Sequence, residues 1–561
     1  MLVPKLFTTL RGYDRRQLAA DCTAGVIVGI VALPLCIAFA IASGVTPGRG
    51  LWTGIVAGFV ISALGGSRVQ VGGPTGAFVV IVYGIVQQYG VDGLIAATFL
   101  AGIILVVMGF ARLGALMKFV PYPVVLGFTA GIAIIIGVQQ FRDALGLRMT
   151  KVPAEFLERM HAYGQVLDTV NPWAAGVCGA TLLILLLWPR LSKRVPAPFV
   201  ALLATTAVVQ LFQLPVETIG SRFGAINAGV PHPVMPSLTL AEVRALIGPA
   251  FTIAALGAIE SLLSAVVSDG MIGGRHRSDM ELVAQGVANL ASPLVGGIPA
   301  TGAIARTATN IKAGGRTPVA GMVHALTLLG ITLFFGRWAA LIPLATLAGI
   351  LLLVAWHMGE WHVFRRELRA PKSDAAVMLT TFLLTVLVDL TVAIGVGMVL
   401  ASFLFIKRMA DVTNVDVVTD ELAFERGTAA ERASDADAIY RRRVPPGVEV
   451  YEINGPFFFG AAEIFKDAVK RVARQPKVLV IRMRHVPAID ATGLRTLTDL
   501  VRRSRQDGAR VILAELRAQP RLAVERSALG AELGAENVVA TIDAALAAAA
   551  PTTAAPADTA A

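Results

Sequence analysis

From about residue 20 to residue 408 the chain alternates long apolar stretches with short polar or basic connections, and beyond 408 that alternation stops. The apolar stretches are 20–43, 49–66, 71–89, 93–111, 118–140, 172–188, 197–214, 248–268, 280–297, 299–313, 317–335, 338–356, 374–389 and 391–408. About 20 apolar helical residues cross the hydrocarbon core of a bilayer, so these are fourteen predicted spans. An interfacial linker around Pro231-His232-Pro233 and 238–247 divides them into seven plus seven. An odd number of crossings per half inverts the second half relative to the first. From Val448 the period changes to short strands at 448–453, 477–483 and 510–514, alternating with helices that begin near Ala461, Thr492 and Gln519. That pattern predicts a small α/β domain. The expected organisation is an N-terminal segment 1–19, a transmembrane domain 20–408 with repeats 20–214 and 248–408, a linker 409–447, the α/β domain 448–546 and a disordered tail 547–561. Within the linker, 428–443 reads as a mobile insertion.

Two of the spans open on the same motif, Val71-Gly72-Gly73-Pro74-Thr75-Gly76-Ala77 and Val295-Gly296-Gly297-Ile298-Pro299-Ala300-Thr301-Gly302-Ala303. Glycine allows close backbone approach, and proline suits the first turn of a helix. Irregular chain at membrane depth leaves backbone groups that must be satisfied by protein or by a cavity. Two such breaks, one per half, predict two short helices whose N-termini meet near the bilayer midplane, as in inverted-repeat transporters. Partial positive charge at both ends favours an anion.

Composition agrees, with 55% apolar and 16% charged residues and a mean hydropathy of +0.69. Soluble domains carry about 25% charged residues. The net charge of +11 does not point to nucleic acid, because from Asp411 onward 20 Lys/Arg face 21 Asp/Glu. The surplus lies in alternate loops, at Arg68, Arg112/Lys118, Arg190/Lys193/Arg194, Arg275/Arg277, Lys312/Arg316, Arg365 to Lys372 and Lys407/Arg408. The positive-inside rule makes these loops cytoplasmic, together with both termini. One loop, Arg142 to Arg159, is predicted outside yet carries several cations, which Asp143, Glu155 and Glu158 offset. The six Trp residues fall near predicted span ends, as an interfacial belt does. No cleavable leader is expected, and Cys22, Cys36 and Cys178 lack metal or disulfide spacing. No nucleophile–base pair, metal cluster or nucleotide loop suggests an enzyme.

Three regions give the chain a family likeness: IVALPLCIAFAIASG at 30–44, GGPTGA at 72–77, and GAIESLL at 257–263 together with GGIPATGAIART at 296–307. They resemble the sulfate permease (SulP) family of anion transporters. The third region, with AWHM at 355–358, looks most like the bacterial C4-dicarboxylate branch and next like the sodium-coupled bicarbonate branch. The C-terminal domain resembles the STAS domain, with IDATGL at 489–494 as its signature loop. The resemblance implies a polytopic α-helical seven-plus-seven inverted repeat. Spans 1–4 and 8–11 would form a core that carries the anion past a gate, joined to a cytoplasmic α/β STAS domain. It also implies a homodimer, a regulatory partner at the STAS domain, and a regulatory role for Thr492.

By matching positions, the resemblance maps the substrate pocket to Phe39, Thr75, Ala77, Thr301, Gly302, Ala303 and Arg306. Leu35 and Ala305 stand where some relatives have polar side chains, which leaves backbone N–H groups, Thr75, Thr301 and Arg306 as donors. Glu260 is the one carboxylate near the middle of a span, where an ionisable group is costly enough to indicate function. Ser264 lies one helical turn away on the same face. The expected coupling ion is a proton taken up by Glu260; sodium at Glu260, Ser264 and Ala300 is the alternative. An Arg306–Glu260 ion pair would instead staple spans eight and ten. Asp269, Glu281 and Asp389, near span ends, read as solvated or capping groups, His324 and His357 as core residues, and Gly54-xxx-Gly58 as helix packing. The expected function is proton-coupled uptake of a C4-dicarboxylate across the inner membrane, with no bound cofactor. Sodium-coupled bicarbonate transport, sulfate transport and an anion sensor signalling through STAS are the alternatives.

Overall fold

The computed structural model describes residues 2–115, 120–149, 152–192, 195–224, 233, 239–411, 413–418, 439, 442–471 and 476–550. Lys118, Lys193, Arg194, Pro231, His232, most of the expected insertion 428–443 and the tail from 551 lie outside the described residues. The chain forms two compact units, Met1–Ala401 and Ser402–Ala561.

The first unit is helical. Its long helices are α1 (Arg15–Ala42), α2 (Pro47–Leu64), α3 (Gly76–Phe110), α4 (Tyr122–Gln139), α5 (Pro172–Leu191), α6 (Ala197–Leu211), α7 (Leu240–Ile272), α8 (Ser278–Leu294), α9 (Ile304–Lys312), α10 (Pro318–Ala339), α11 (Leu344–Met358), α12 (Lys372–Leu387) and α13 (Leu390–Asp411). The backbone of α3 breaks at Gly90, whose φ of 70° only glycine adopts readily, so α3 is spans three and four end to end. Fourteen helical segments result, and among the described residues eight helices are individually long and apolar enough to cross a bilayer. Proline at the first turn sets the start of α2, α5 and α10.

The helices pack as two groups, α1–α3 with α7–α10 and α4–α6 with α11 and α12, which are the core and gate expected from the resemblance, and α13 joins the second group where Gly397 meets Val124 and Thr381. Glycine sets the closest crossings. A Cβ on Gly102 of α3 would sit 2.9 Å from the Gly286 carbonyl of α8, and one on Gly286 would sit 2.8 Å from the Gly102 carbonyl. In the gate, Gly127 of α4 similarly faces the Met378 carbonyl of α12 at 2.5 Å. Small residues thus let backbones approach where lipid supplies no hydrophobic drive. Gly54 packs on Cys36 and Leu328, as expected for a packing motif.

Three expectations are corrected in this unit. Residues 240–247 are not a linker but the first two turns of α7, started by a Thr239/Glu242 capping box. Trp52 is only 7% exposed and packs in the core rather than at an interface. Glu281 is fully buried, as described below.

The second unit holds a five-stranded sheet in the order β3 (Asn414–Val418), β4 (Val448–Asn454), β5 (Val478–His485), β6 (Arg510–Ala514), β7 (Val538–Val539). β3 pairs antiparallel with β4, and the other pairs are parallel. The sheet is covered on one face by α14 (Phe459–Arg471), α15 (Ala491–Gln506), α16 (Ala518–Glu525) and α17 (Ala528–Leu533), which pack on Tyr451, Ile453, Leu479 and Ile481. On the other face α18 (Ile542–Ala549) packs on Val450, Val480 and Ile512. Burial on both faces explains the near-continuous apolar strands. The expected linker 409–447 therefore contains a sheet strand, β3, and the last helix ends at Ala549 rather than before 547.

Candidate anion site

The two repeated motifs meet. Gly72–Gly73 (β1) and Thr301–Gly302 (β2) pair antiparallel, Gly72 opposite Gly302 and Gly73 opposite Thr301. Each lead-in is pinned by polar side chains of the opposite half. Val71 N donates to Thr307 Oγ1 at 3.1 Å, and Asn310 Nδ2 donates to Val69 O at 2.8 Å. In the other direction, Ile298 N donates to Thr53 Oγ1 at 2.7 Å and Arg49 Nη1 to Gly296 O at 2.7 Å. Asn289 brackets Ala300, accepting from its N at 2.9 Å and donating to its O at 2.8 Å. These bonds satisfy irregular backbone that lipid could not.

From this crossing two helices start, α3 at Gly76 with Thr75 as N-cap and α9 at Ile304 with Ala303 as N-cap. Neither N-cap side chain bonds a first-turn N–H, so those donors and the positive ends of both helix dipoles remain for a ligand. Thr75 Oγ1 donates instead to Glu260 Oε2 of α7 at 3.1 Å. Phe39 of α1 lies close by: a Cβ on Gly76 would sit 3.4 Å from Phe39 Cε1, 3.3 Å from Ile136 Cδ1 and 3.5 Å from Met358 Sδ. Ile136 and Met358 belong to the gate helices α4 and α11, so the Gly76 terminus sits where core meets gate. Ala77 and Ala303 are buried beside the two termini.

The remaining expected pocket residues are brought here but are otherwise engaged. Arg306, 2% exposed, donates through Nη1 to Gly72 O at 3.3 Å and through Nη2 to Pro74 O. Among the described residues it makes no ion pair with Glu260, so the stapling pair is not formed, and its burial rules out snorkelling. Thr301 Oγ1 donates to Gly257 O at 3.0 Å, and Gly302 leaves room for the Gln70 side chain. Ser264 is buried, and its hydroxyl has no hydrogen-bond partner among the described residues. Ala300 O accepts from Asn289 Nδ2.

Sequence reasoning missed a buried, heavily bonded carboxylate. Glu281 Oε2 accepts from Gly66 N at 2.8 Å and Ser67 N at 3.1 Å, and its Oε1 accepts from Gln70 Nε2 at 2.9 Å and Gln285 Nε2 at 2.8 Å. It fastens the 66–70 chain to α8, and its place in the first turn of a span disguised it as a solvated cap. Asp389 does cap, accepting from Val392 N at 3.2 Å, whereas Asp269 binds His276 in the connection from α7 to α8 through its N and its ring Nδ1, both at 2.7 Å. His324 is fully buried in α10, and a Cβ on Gly58 would sit 3.4 Å from its Cε1. In the second unit Asp490 caps α15, accepting from Gly493 N at 2.7 Å, and Thr492 in the first turn is exposed.

A model of the sulfate permease family matches residues 18–381, and a STAS domain model matches 440–545. YvdB of Bacillus subtilis, a candidate sulfate transporter, is 40% identical over 94% of this chain and 97% of its own. The bicarbonate transporter BicA of Picosynechococcus is 30% identical over 91% of each chain. The solved transmembrane domain of a cyanobacterial BicA is 32% identical and covers 68% of this chain and 99% of its own, with a TM-score of 0.63. The murine Slc26a9 anion transporter, inward-facing, shares the fold over 98% of this chain and 94% of its own, with a TM-score of 0.86 at 18% identity. A dicarboxylate substrate is not supported by these relatives, whose names give sulfate, bicarbonate or an unspecified anion. The chain belongs to the sulfate permease family: it is a multi-pass membrane anion transporter with a C-terminal STAS domain, and not an enzyme.

Proposed function

We propose that the protein takes up an inorganic oxyanion, sulfate first, together with a proton that neutralises Glu260. The observation that carries this reading is the bond from Thr75, the N-cap of α3, to Glu260, which couples the carboxylate to one of the two anion-facing termini. Charge gives the direction. Arg306 supplies one positive charge and each helix terminus about half of one, while ionised Glu260 subtracts one. The site then balances about one negative charge, and neutralising Glu260 raises that to about two, the charge of sulfate. Sulfate also appears in the name of the 40% identical relative.

Bicarbonate with sodium is the second reading, favoured by the unpartnered Ser264 hydroxyl one turn from Glu260 and by the likeness to BicA. In either case the core would move the anion past the gate in an elevator-like step, in a homodimer of the inner membrane with both termini cytoplasmic. Proteoliposomes loaded with labelled sulfate or bicarbonate outside, under an imposed pH or sodium gradient, separate the readings. Sulfate accumulation driven by inward protons is expected. Sodium-dependent bicarbonate uptake that ignores pH would replace it, and binding without flux would favour a sensor.

A further inference from the structure

The connection between α4 and α5 is the loop whose arginines broke the charge pattern. Its start meets four other segments around a cavity of about 300 Å³. Tyr83 and Gln87 come from α3, Gln139 from the end of α4, Gln140 and Arg142 from the turn and short helix that follow, and Arg222 from the short helix Ile219–Phe223. Tyr83 and Gln87 lie about 10 to 16 Å along α3 from Gly76, so this is a different place from the meeting point of the half-helices. The cavity straddles core and gate. The Gln139 amide donates to Ala42 O of α1, and Tyr83 OH donates to Val152 O at 2.6 Å.

Its lining carries two guanidinium groups, Arg142 and Arg222, against one carboxylate, Asp143, with the amides of Gln87, Gln139 and Gln140 between them. Arg142 donates through Nη2 to Met149 O at 3.0 Å, but its buried Nε has no partner and it makes no ion pair among the described residues. Arg222 pairs with Asp143 at 2.8 Å and with Glu217, yet its Nε is also unpartnered. Behind Tyr83, Arg159 is 2% exposed, with its Cζ 5.7 Å from the ring centroid and its Nη1 unpartnered. In the lining itself two guanidinium groups thus face one carboxylate, with the Arg159 guanidinium behind Tyr83 as a third positive charge. Buried guanidinium N–H groups without acceptors are unfavourable, and an oxyanion is the ligand whose planar or tetrahedral oxygens match the guanidinium fork. The volume, about ten waters' worth, admits such an ion with part of its hydration shell.

We propose that this cavity is a second anion site, on the face that the charge pattern places outside, where Arg142 and Arg222 hold an inorganic oxyanion at the seam between core and gate before it reaches the paired half-helices. The site rests on the anion-transport reading but not on which oxyanion is carried. Such a position raises the local anion concentration at the entrance.

The test is the number of labelled sulfate ions bound per chain by the purified full-length protein. Two are expected in the wild type, one in Arg142→Gln and one in Thr75→Trp, which fills the other site. Arg142→Lys should keep the second ion with weakened affinity. Gln87→Glu, an exposed position, should weaken it at least tenfold without removing a guanidinium. A count and affinity unchanged by both Arg142→Gln and Gln87→Glu would overturn the proposal, as would a wild-type protein that binds neither labelled sulfate nor labelled bicarbonate. One ion in the wild type, lost in Arg142→Gln and kept in Thr75→Trp, would sustain this site and remove sulfate as the ligand of the half-helices.

Discussion

Arg306 holds the first motif in shape and does so through two carbonyls, Gly72 O and Pro74 O, that would otherwise be buried without donors. Such an orphaned group costs about 1–3 kcal/mol. Arg306→Ala is therefore expected to lower both thermal stability and anion affinity, with Arg306→Lys between it and the wild type, because lysine keeps the charge but not the fork. Anion titrations followed by thermal melts check the order, and equal affinities for the two variants would make the arginine purely structural. Gly73 tests the same contact from the other side. Its φ of +141° and a Cβ position 2.6 Å from Arg306 Nη1 mean that Gly73→Ala must displace the guanidinium. About tenfold weaker anion binding, or about 1.4 kcal/mol, is expected in a protein that still inserts. Glu260 and the glycines were legible in the sequence because charge and glycine are anomalies in apolar helices. The engagement of Arg306 was not, since its carbonyl partners belong to the other repeat and carry no side-chain signature.

The paired lead-ins depend on neighbours that look unremarkable one helix at a time. Thr53, Asn289, Thr307 and Asn310 are scattered small polar residues in apolar segments, and only the fold brings them to the crossing. Glu281 is the strongest case, since four donors converge on its two oxygens. Glutamine can accept at only one oxygen, so Glu281→Gln sets an amide against two donors. A loss of about 2–4 kcal/mol is expected, seen as a lower melting temperature in detergent, while the anion selectivity of surviving protein is unchanged. Altered selectivity would place Glu281 in the site itself. Helix positions were read closely from apolar periodicity, and α4, α5 and α12 start within about four residues of expectation. What periodicity missed was the first two turns of α7, whose polar and amphipathic residues are helical through a capping box rather than through apolarity.

The two-unit organisation was visible in the change of pattern near residue 408, but its fine boundary was not. β3 lies in polar sequence that reads as linker, and its role is to cover the edge of β4. An uncovered edge invites pairing with other chains. A soluble fragment that begins at 411 is therefore expected to be monomeric, and one that begins at 445 to self-associate, as sedimentation would show. Truncation after Asp411 should leave an inserted transporter with changed rate and unchanged substrate preference. The inverted repeat itself was the most legible feature, because a glycine–proline break in a span is written twice. The antiparallel pairing of Gly72 with Gly302 and Gly73 with Thr301 gives it physical form. The proposed coupling belongs to this whole arrangement, since Glu260 touches one repeat's helix terminus from the other repeat. The most direct measurement compares Glu260→Gln with the wild type in proteoliposomes, following both anion exchange at equilibrium and accumulation under an imposed proton gradient. Glutamine keeps the bond to Thr75 within reach and cannot titrate, so exchange should persist while accumulation falls to equilibration. Accumulation by Glu260→Gln at the wild-type level would contradict the assignment of coupling to Glu260.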